Sequence, residues 1–213
     1  VSAWLCGLPS TTAVGQRLPK EAFYKNLSLS AAQRREFVDG IESIEVAASV
    51  KEATVHVPPA RGVDEVMLLA VGLKATLLPA LALDAVAAQN PHKLVFACCA
   101  QGEGGPVCCL AVRRLGALRR GTWLPRESCE LALHGADLAD IWDALCAQVL
   151  FGDADGSTVD GRLRARERAA ELTEKLAKLN KRLARETQTV RRNSLFTEKQ
   201  ALEAELAHLE QGV

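Results

Sequence analysis

Val66-Met67-Leu68-Leu69-Ala70-Val71-Gly72-Leu73 is the stretch on which the fold turns. Its first six residues are an unbroken apolar run, which suits a strand covered by protein on both faces. The period then changes. Between Lys74 and Gln89, Leu77, Leu81, Ala85 and Ala88 share one helical face, and Pro79 is tolerable near a first turn. Asn90-Pro91 ends that helix. Lys93 to Cys99 reads as a second strand, Gln101 to Pro106 as a glycine-rich loop, and Val107 to Val112 as the hairpin partner. A strand, a helix and a two-stranded hairpin imply an α+β class: a small mixed β-sheet with helices packed on it.

Upstream, Leu8 to Lys20 holds two prolines and no period, and is expected to be a surface loop. Glu21 to Leu27 is expected to form a turn or two of helix that packs Phe23 and Tyr24 inward. Ser28 or Ser30 can cap a helix over Ala31 to Ile41, with Phe37 and Ile41 one turn apart on its buried side. Ile44 to Val50 and Ala53 to Val57 read as short strands stopped by Pro58-Pro59.

Downstream, Arg113 to Trp123 is basic and loop-like, and Leu131 and Leu133 offer an edge strand. Asp137 to Leu150 is amphipathic, with Leu138, Ile141, Trp142, Leu145 and Val149 on its apolar side. The Gly152-Asp153-Ala154-Asp155-Gly156 break then separates a globular domain, residues 1–152, from a helical arm, residues 157–213, opened by Ser157 or Thr158.

The arm has its own rhythm. Leu172, Leu176, Leu179 and Leu183 fall in alternating steps of four and three, and Leu195, Leu202, Leu206 and Leu209 resume after a polar interval. That spacing is a coiled-coil seam, too narrow to make a core by itself, so it needs a second helix. Because the rhythm lapses between Thr187 and Ser194, where Asn193-Ser194 has turn chemistry, the expectation is a C-terminal α-helical coiled-coil hairpin. One uninterrupted helix pairing in a dimer is the alternative.

Totals narrow the function classes. Aromatics are 4% of 213 residues, so the core is mostly aliphatic. Net charge is zero but uneven: from Gly161 onward 12 Lys and Arg stand against 8 Asp and Glu, so the arm is basic and the remainder acidic. Seven cysteines, an odd number and mostly in apolar runs, fit free thiols in a reducing cytoplasm. No apolar run reaches the roughly 18 residues a membrane span needs, and the first residues lack a signal-peptide pattern.

Catalytic chemistry is thin. Cys98-Cys99 and Cys108-Cys109 sit on two strands expected to pair, but neighbours on a strand point to opposite faces, and structural zinc prefers cysteines two to four apart on a knuckle. They read as small core side chains. His56, His92, His134 and His208 are scattered without ligand spacing, Gly102-Glu103-Gly104-Gly105 lies in a hairpin rather than between strand and helix, and no nucleophile elbow is present. No cofactor and no metal ion is expected. Arg113, Arg114, Arg119 and Arg120, four arginines within eight residues, form the best anion-binding cluster, although aromatic interleaving is missing apart from Trp123. Restriction-type nucleases place one acid before a strand and an acid-x-Lys at its end. Asp64 or Glu65 and Lys74 fit two of those places, but Gly72 stands where the metal-binding carboxylate belongs.

As a whole the chain resembles a bacterial family known as domain of unknown function 4391. The resemblance rests on Leu8-Pro9-Ser10-Thr11, on Arg17-Leu18-Pro19-Lys20 with Phe23-Tyr24, and on Leu29-Ser30 leading to Phe37 and Ile41. The strand ending Leu73-Lys74, the run Leu94-Val95-Phe96 and the charged C-terminal segment follow in the same order, so nearly the whole chain is covered. It departs at Val46-Ala47-Ala48, where that family tends to carry a tryptophan and a lysine. Such proteins are often encoded beside helicases and methyltransferases of restriction or antiphage systems. What the resemblance implies is an accessory subunit of such a system; together with the leucine seam, the expectation is a non-enzymatic interaction subunit that docks a helicase- or methyltransferase-like partner, or self-associates, through the arm leucines. The alternatives are a divergent metal-dependent nuclease using Asp64, Glu65 and Lys74, and a nucleic-acid-binding module using the arginines.

Overall fold

A computed structural model describes residues 4–19, 23 and 26–211. The chain divides into two compact units, a body (Val1–Ser157) and an arm (Thr158–Val213).

The body is built on one six-stranded sheet whose spatial order follows the chain: β1 (Ala13–Leu18), β2 (Ile41–Lys51), β3 (Glu65–Leu73), β4 (Lys93–Gly102), β5 (Gly105–Arg114) and β6 (Ala117–Pro125). Every neighbouring pair is antiparallel except β3 and β4, which run parallel with Val66 beside Lys93 and Gly72 beside Cys99. A parallel pair cannot be closed by a tight turn, so the chain crosses over through a helix, α3 (Ala80–Gln89). The expected α+β class and mixed sheet are what the structure has.

The first face of the sheet is covered by α1 (Ala31–Gly40) and α3. Ser30 caps α1, accepting from the Gln33 backbone N–H at 3.3 Å while the Gln33 side chain accepts from the Ser30 N–H at 2.8 Å. Phe37, Ile41, Ile44, Val46, Leu69, Leu83 and Phe96 are central to the core beneath these helices. Glu36, on α1, accepts from the backbone N–H groups of Leu81 and Ala82 at 2.8 and 3.2 Å, so one helix caps the start of the other. Phe23 packs at a tilt against Phe37 with ring centroids 5.2 Å apart; Tyr24 and most of the expected turn at Glu21 to Leu27 lie outside the described residues.

On the opposite face lies α4 (Leu138–Phe151), which reaches β3, β5 and β6. Asp137 caps it at 2.8 Å through the Asp140 N–H, and Gly152 ends it in the left-handed region at φ 79°. Two adjacent arginines on β5 tie the layers together. Arg113 Nε meets Asp84 of α3 at 3.0 Å and Arg114 Nη1 meets Asp143 of α4 at 2.6 Å, because successive strand residues face opposite ways.

Several expectations are corrected. Leu8 to Lys20 is not all loop: Ser10–Thr12 is a 3-10 turn and Ala13–Leu18 an edge strand whose side chains are almost all exposed. Ala53 to Val57 is not a strand, because Glu52–Val55 makes one helical turn, α2, closed by His56 at φ 56°. The helix expected from Lys74 begins only at Ala80 and buries Ala82, Leu83, Ala85 and Val86; Leu77 precedes it and Leu81 faces out. Arg113 to Trp123 is the β5–β6 hairpin rather than a loop, and Leu131 and Leu133 lie in irregular chain.

The arm is a helical hairpin of α5 (Val159–Leu183) and α6 (Thr189–Gln211). Its turn spans residues 184–188, so Asn193 and Ser194 are inside α6 instead of forming the bend. Arg168 joins the two helices, donating to Glu205 at 2.7 Å and to Glu171 at 3.2 Å. Among the described residues no helix is long and apolar enough to cross a membrane.

Candidate functional site

The arm's eight leucines divide into two groups. Leu172, Leu176 and Leu179 on α5 and Leu195 on α6 are buried. Leu183, Leu202, Leu206 and Leu209 are only half-buried, and Val190 (83% exposed) and Phe196 (50%) stand clear of the seam. A two-helix hairpin covers one stripe of each helix, and here the apolar ridge runs on beyond that cover.

The four arginines do not converge. Arg113 and Arg114 are held in the ion pairs that join β5 to helices on opposite faces, and Arg113 also donates to the Gly116 carbonyl at 2.8 Å. Arg119 and Arg120 sit on β6 opposite Val112 and Ala111, where Arg119 is half-buried and Arg120 exposed. Alternation along two strands scatters the cluster that the sequence places within eight residues.

Nor do Asp64, Glu65 and Lys74 meet. Asp64 and Glu65 lie at one end of β3, where their carboxylates approach the His92 imidazole at 3.7 and 3.6 Å and Glu65 also accepts from Ser49. Lys74 follows the strand's other end, roughly 30 Å away for nine residues at about 3.3 Å each. There its ammonium donates to the Val38 carbonyl at 2.9 Å. A Cβ added at Gly72 would fall 2.5 Å from the Ser43 hydroxyl oxygen, so packing against β2 explains the missing carboxylate. Among the described residues no group of three or more His, Cys, Asp or Glu is arranged to hold a metal ion.

Lys74 instead borders a cavity of about 350 Å³ at the ends of β3 and β4, lined with Glu42, Cys99, Gln101 and Arg126. Arg126 is fixed over the Trp4 ring, 4.6 Å from its centroid. Several thiols gather behind the cavity. The hairpin register sets Cys99 opposite Cys108 and Cys98 opposite Cys109, one pair for each face. Cys129 reaches the first pair, its thiol donating to the Cys108 carbonyl at 3.6 Å, and Cys6 lies close enough to feel Cys99 and Cys129. A hydrogen bond from Cys108 holds the Cys99 thiol below its ordinary range against the opposing effect of burial, and Arg126 adds to the lowering. The same bond, with burial, pushes Cys108 up; burial also raises Cys6, Cys98 and Cys129. All seven cysteines are free.

The family described as Domain of unknown function (DUF4391) matches residues 6–206. The chain belongs to that family. No curated protein and no solved structure matches it. The match runs across the junction at Ser157–Thr158, so in DUF4391 the helical hairpin is part of the family's own domain rather than an appendage. The thiol gathering was the feature hardest to see in the sequence. Hairpin register was enough to pair the four strand cysteines two by two, but Cys6 and Cys129 come from irregular chain before β1 and after β6.

Proposed function

We propose that this DUF4391 protein is a non-enzymatic interaction subunit of a bacterial restriction or antiphage system, working in the reducing cytoplasm and docking a helicase- or methyltransferase-like partner through its arm. One observation carries the reading: the leucine ridge continues past the area that α5 and α6 cover for each other, leaving Leu183, Leu202, Leu206 and Leu209 half-open, with Val190 and Phe196 exposed elsewhere on α6. A partner helix laid on that ridge completes a coiled-coil layer and removes apolar surface worth about 25 cal/mol per Å² from water. The family match supports it, since the arm lies within the matched span. The genomic company of such proteins, drawn from the resemblance, names the partner class. The disposition of the acids and arginines supports neither a nuclease centre nor a concentrated nucleic-acid patch, because Asp64 and Lys74 make their contacts at opposite ends of β3 and Arg113 and Arg114 are held in ion pairs on opposite faces of the sheet.

The test is affinity capture of a helicase or methyltransferase encoded beside the protein. The full chain should retain it. Leu202→Lys with Leu206→Lys, on positions the hairpin leaves half-open, should release it while the helical signal persists, and a chain ending before Ser157 should not bind. Retention by both variants would refute docking through the arm. Sedimentation of the free protein separates the remaining outcome, in which the ridge is covered by a second copy.

A further inference from the structure

We infer that Cys99 and Cys108 form a peroxide-reactive dithiol that closes to a cross-strand disulfide, with Cys99 as the attacking sulfur and hydrogen peroxide or a small organic hydroperoxide as the oxidant. Register comes first. Directly opposed residues of an antiparallel pair have Cα atoms about 4.5 or 5.5 Å apart, inside the roughly 4.4–6.8 Å range a disulfide needs. Access comes second. Cys99 is half-buried and lines the cavity at the sheet's end, whereas Cys108 is buried behind it. Charge comes third. Lys74 and Arg126 border the same cavity, the first donating to the Val38 carbonyl and the second lying over the Trp4 ring. Arg126 favours a thiolate at Cys99, and the two cations outnumber the one carboxylate of the lining, Glu42, around the negative charge that leaves with the departing oxygen. The lowered Cys99 and raised Cys108 agree with that division of labour: the first is the nucleophile, the second keeps its proton until it is needed.

The chemistry balances. The Cys99 thiolate attacks one peroxide oxygen; an S–O bond forms, the O–O bond breaks, and hydroxide leaves, to be neutralised by the proton Cys99 gave up. Sulfur is oxidised to sulfenic acid as peroxide is reduced. The Cys108 sulfur then attacks Cys99, the S–S bond forms, the S–O bond breaks, and its proton leaves with the oxygen as a second water. One peroxide thus converts two thiols into one disulfide and two waters.

Cys98 and Cys109 are an internal control: the same strands, the same register, both buried, and on the face away from the cavity. The full chain is treated with one equivalent of hydrogen peroxide and alkylated. Cleavage after Glu103 then separates the β4 and β5 cysteines for mass spectrometry. A cross-link between the two peptides should appear, survive in Cys98→Ala and vanish in Cys99→Ser. Dimedone present during oxidation of the Cys108→Ala protein should mark Cys99, located by fragmentation between residues 98 and 99, at least about tenfold faster than free cysteine is marked. Tryptophan emission checks that each variant is folded, and dimedone labelling of the unmutated protein, trapped before closure, decides the site without any substitution. Absence of a cross-link, a link that persists without Cys99, or labelling first at another cysteine overturns the assignment.

Discussion

The body and the arm solve the same problem with different amounts of material. In the body, strands β3, β4 and β5 bury residues on both faces, so most of their apolar side chains are enclosed by helices or neighbouring strands. The arm has one seam and two helices, and half of its eight expected seam leucines are only partly covered. Ion pairs follow the same division: Arg114 and Asp143 are 16% and 21% exposed, whereas Arg168 and Glu205 are 40% and 42%. A structure closed on itself spends its polar contacts on holding layers together. An incompletely closed one leaves surface for something else.

The largest expected effect breaks or upholds that contrast at the level of packing. Phe96→Ala, at a fully buried site between β3 and β5, should cost the body about 3–5 kcal/mol, while Leu172→Ala should cost the arm about 2 kcal/mol. Urea titration separates the two, because Trp4, Trp123 and Trp142 all lie in the body and report it by fluorescence, and circular dichroism follows the helices of the arm. Equal losses would mean that the arm is as well covered as the body.

The next effect sharpens the contrast between ion pairs. Arg114→Met removes the shorter contact to Asp143 but leaves Arg61 3.6 Å from that carboxylate, so the loss should be about 1–2 kcal/mol in the fluorescence transition. Retention on a polyanionic column at low salt should hardly change. A large drop in retention with unchanged stability would show that Arg114 serves a nucleic acid instead of α4.

What the sequence made legible was whatever its burial pattern encodes. The run Val66 to Val71 reads as a doubly covered strand because it is one, and Asp137 and Gly152 bracket α4 because capping chemistry is local. β1 escaped, since an edge strand with exposed side chains leaves a record in backbone pairing and none in hydrophobicity. β6 escaped for a related reason: its arginines suit a half-exposed strand but look like a basic loop. The arm turns at the start of the gap between Leu183 and Leu195 rather than at Asn193-Ser194, because α6 starts at Thr189 and shows no seam residue until Leu195. Among candidate sites, the leucine ridge was readable from spacing. The thiol cluster needed two distant segments to be folded onto one hairpin.

The smallest effect concerns the contact that joins the arm's helices. The Arg168 guanidinium, by hydrogen bond and then by charge, holds the Glu205 carboxyl below its usual value of 4.5. A group whose pKa is depressed by folding lends stability above its unfolded value and loses it as pH falls through the folded one. The hairpin should therefore weaken on acidification below about pH 4.5, and Glu205→Gln should lower its thermal midpoint slightly at neutral pH while flattening that decline. Glu174 is also depressed, by Lys178, but that pair lies four residues apart on one helix and contributes nothing to closing the hairpin. The two are told apart by the Arg168→Met background, in which Glu205→Gln should keep only the small part due to Lys175 and Glu174→Gln should keep its whole effect. Because both side chains of the inter-helix pair are well exposed, salt near 1 M, where the screening length is about 3 Å, should erase the Glu205 effect. If the decline survives both the substitution and the salt, the hairpin is closed by its buried leucines alone, and the arm is more like the body than its exposed ridge implies.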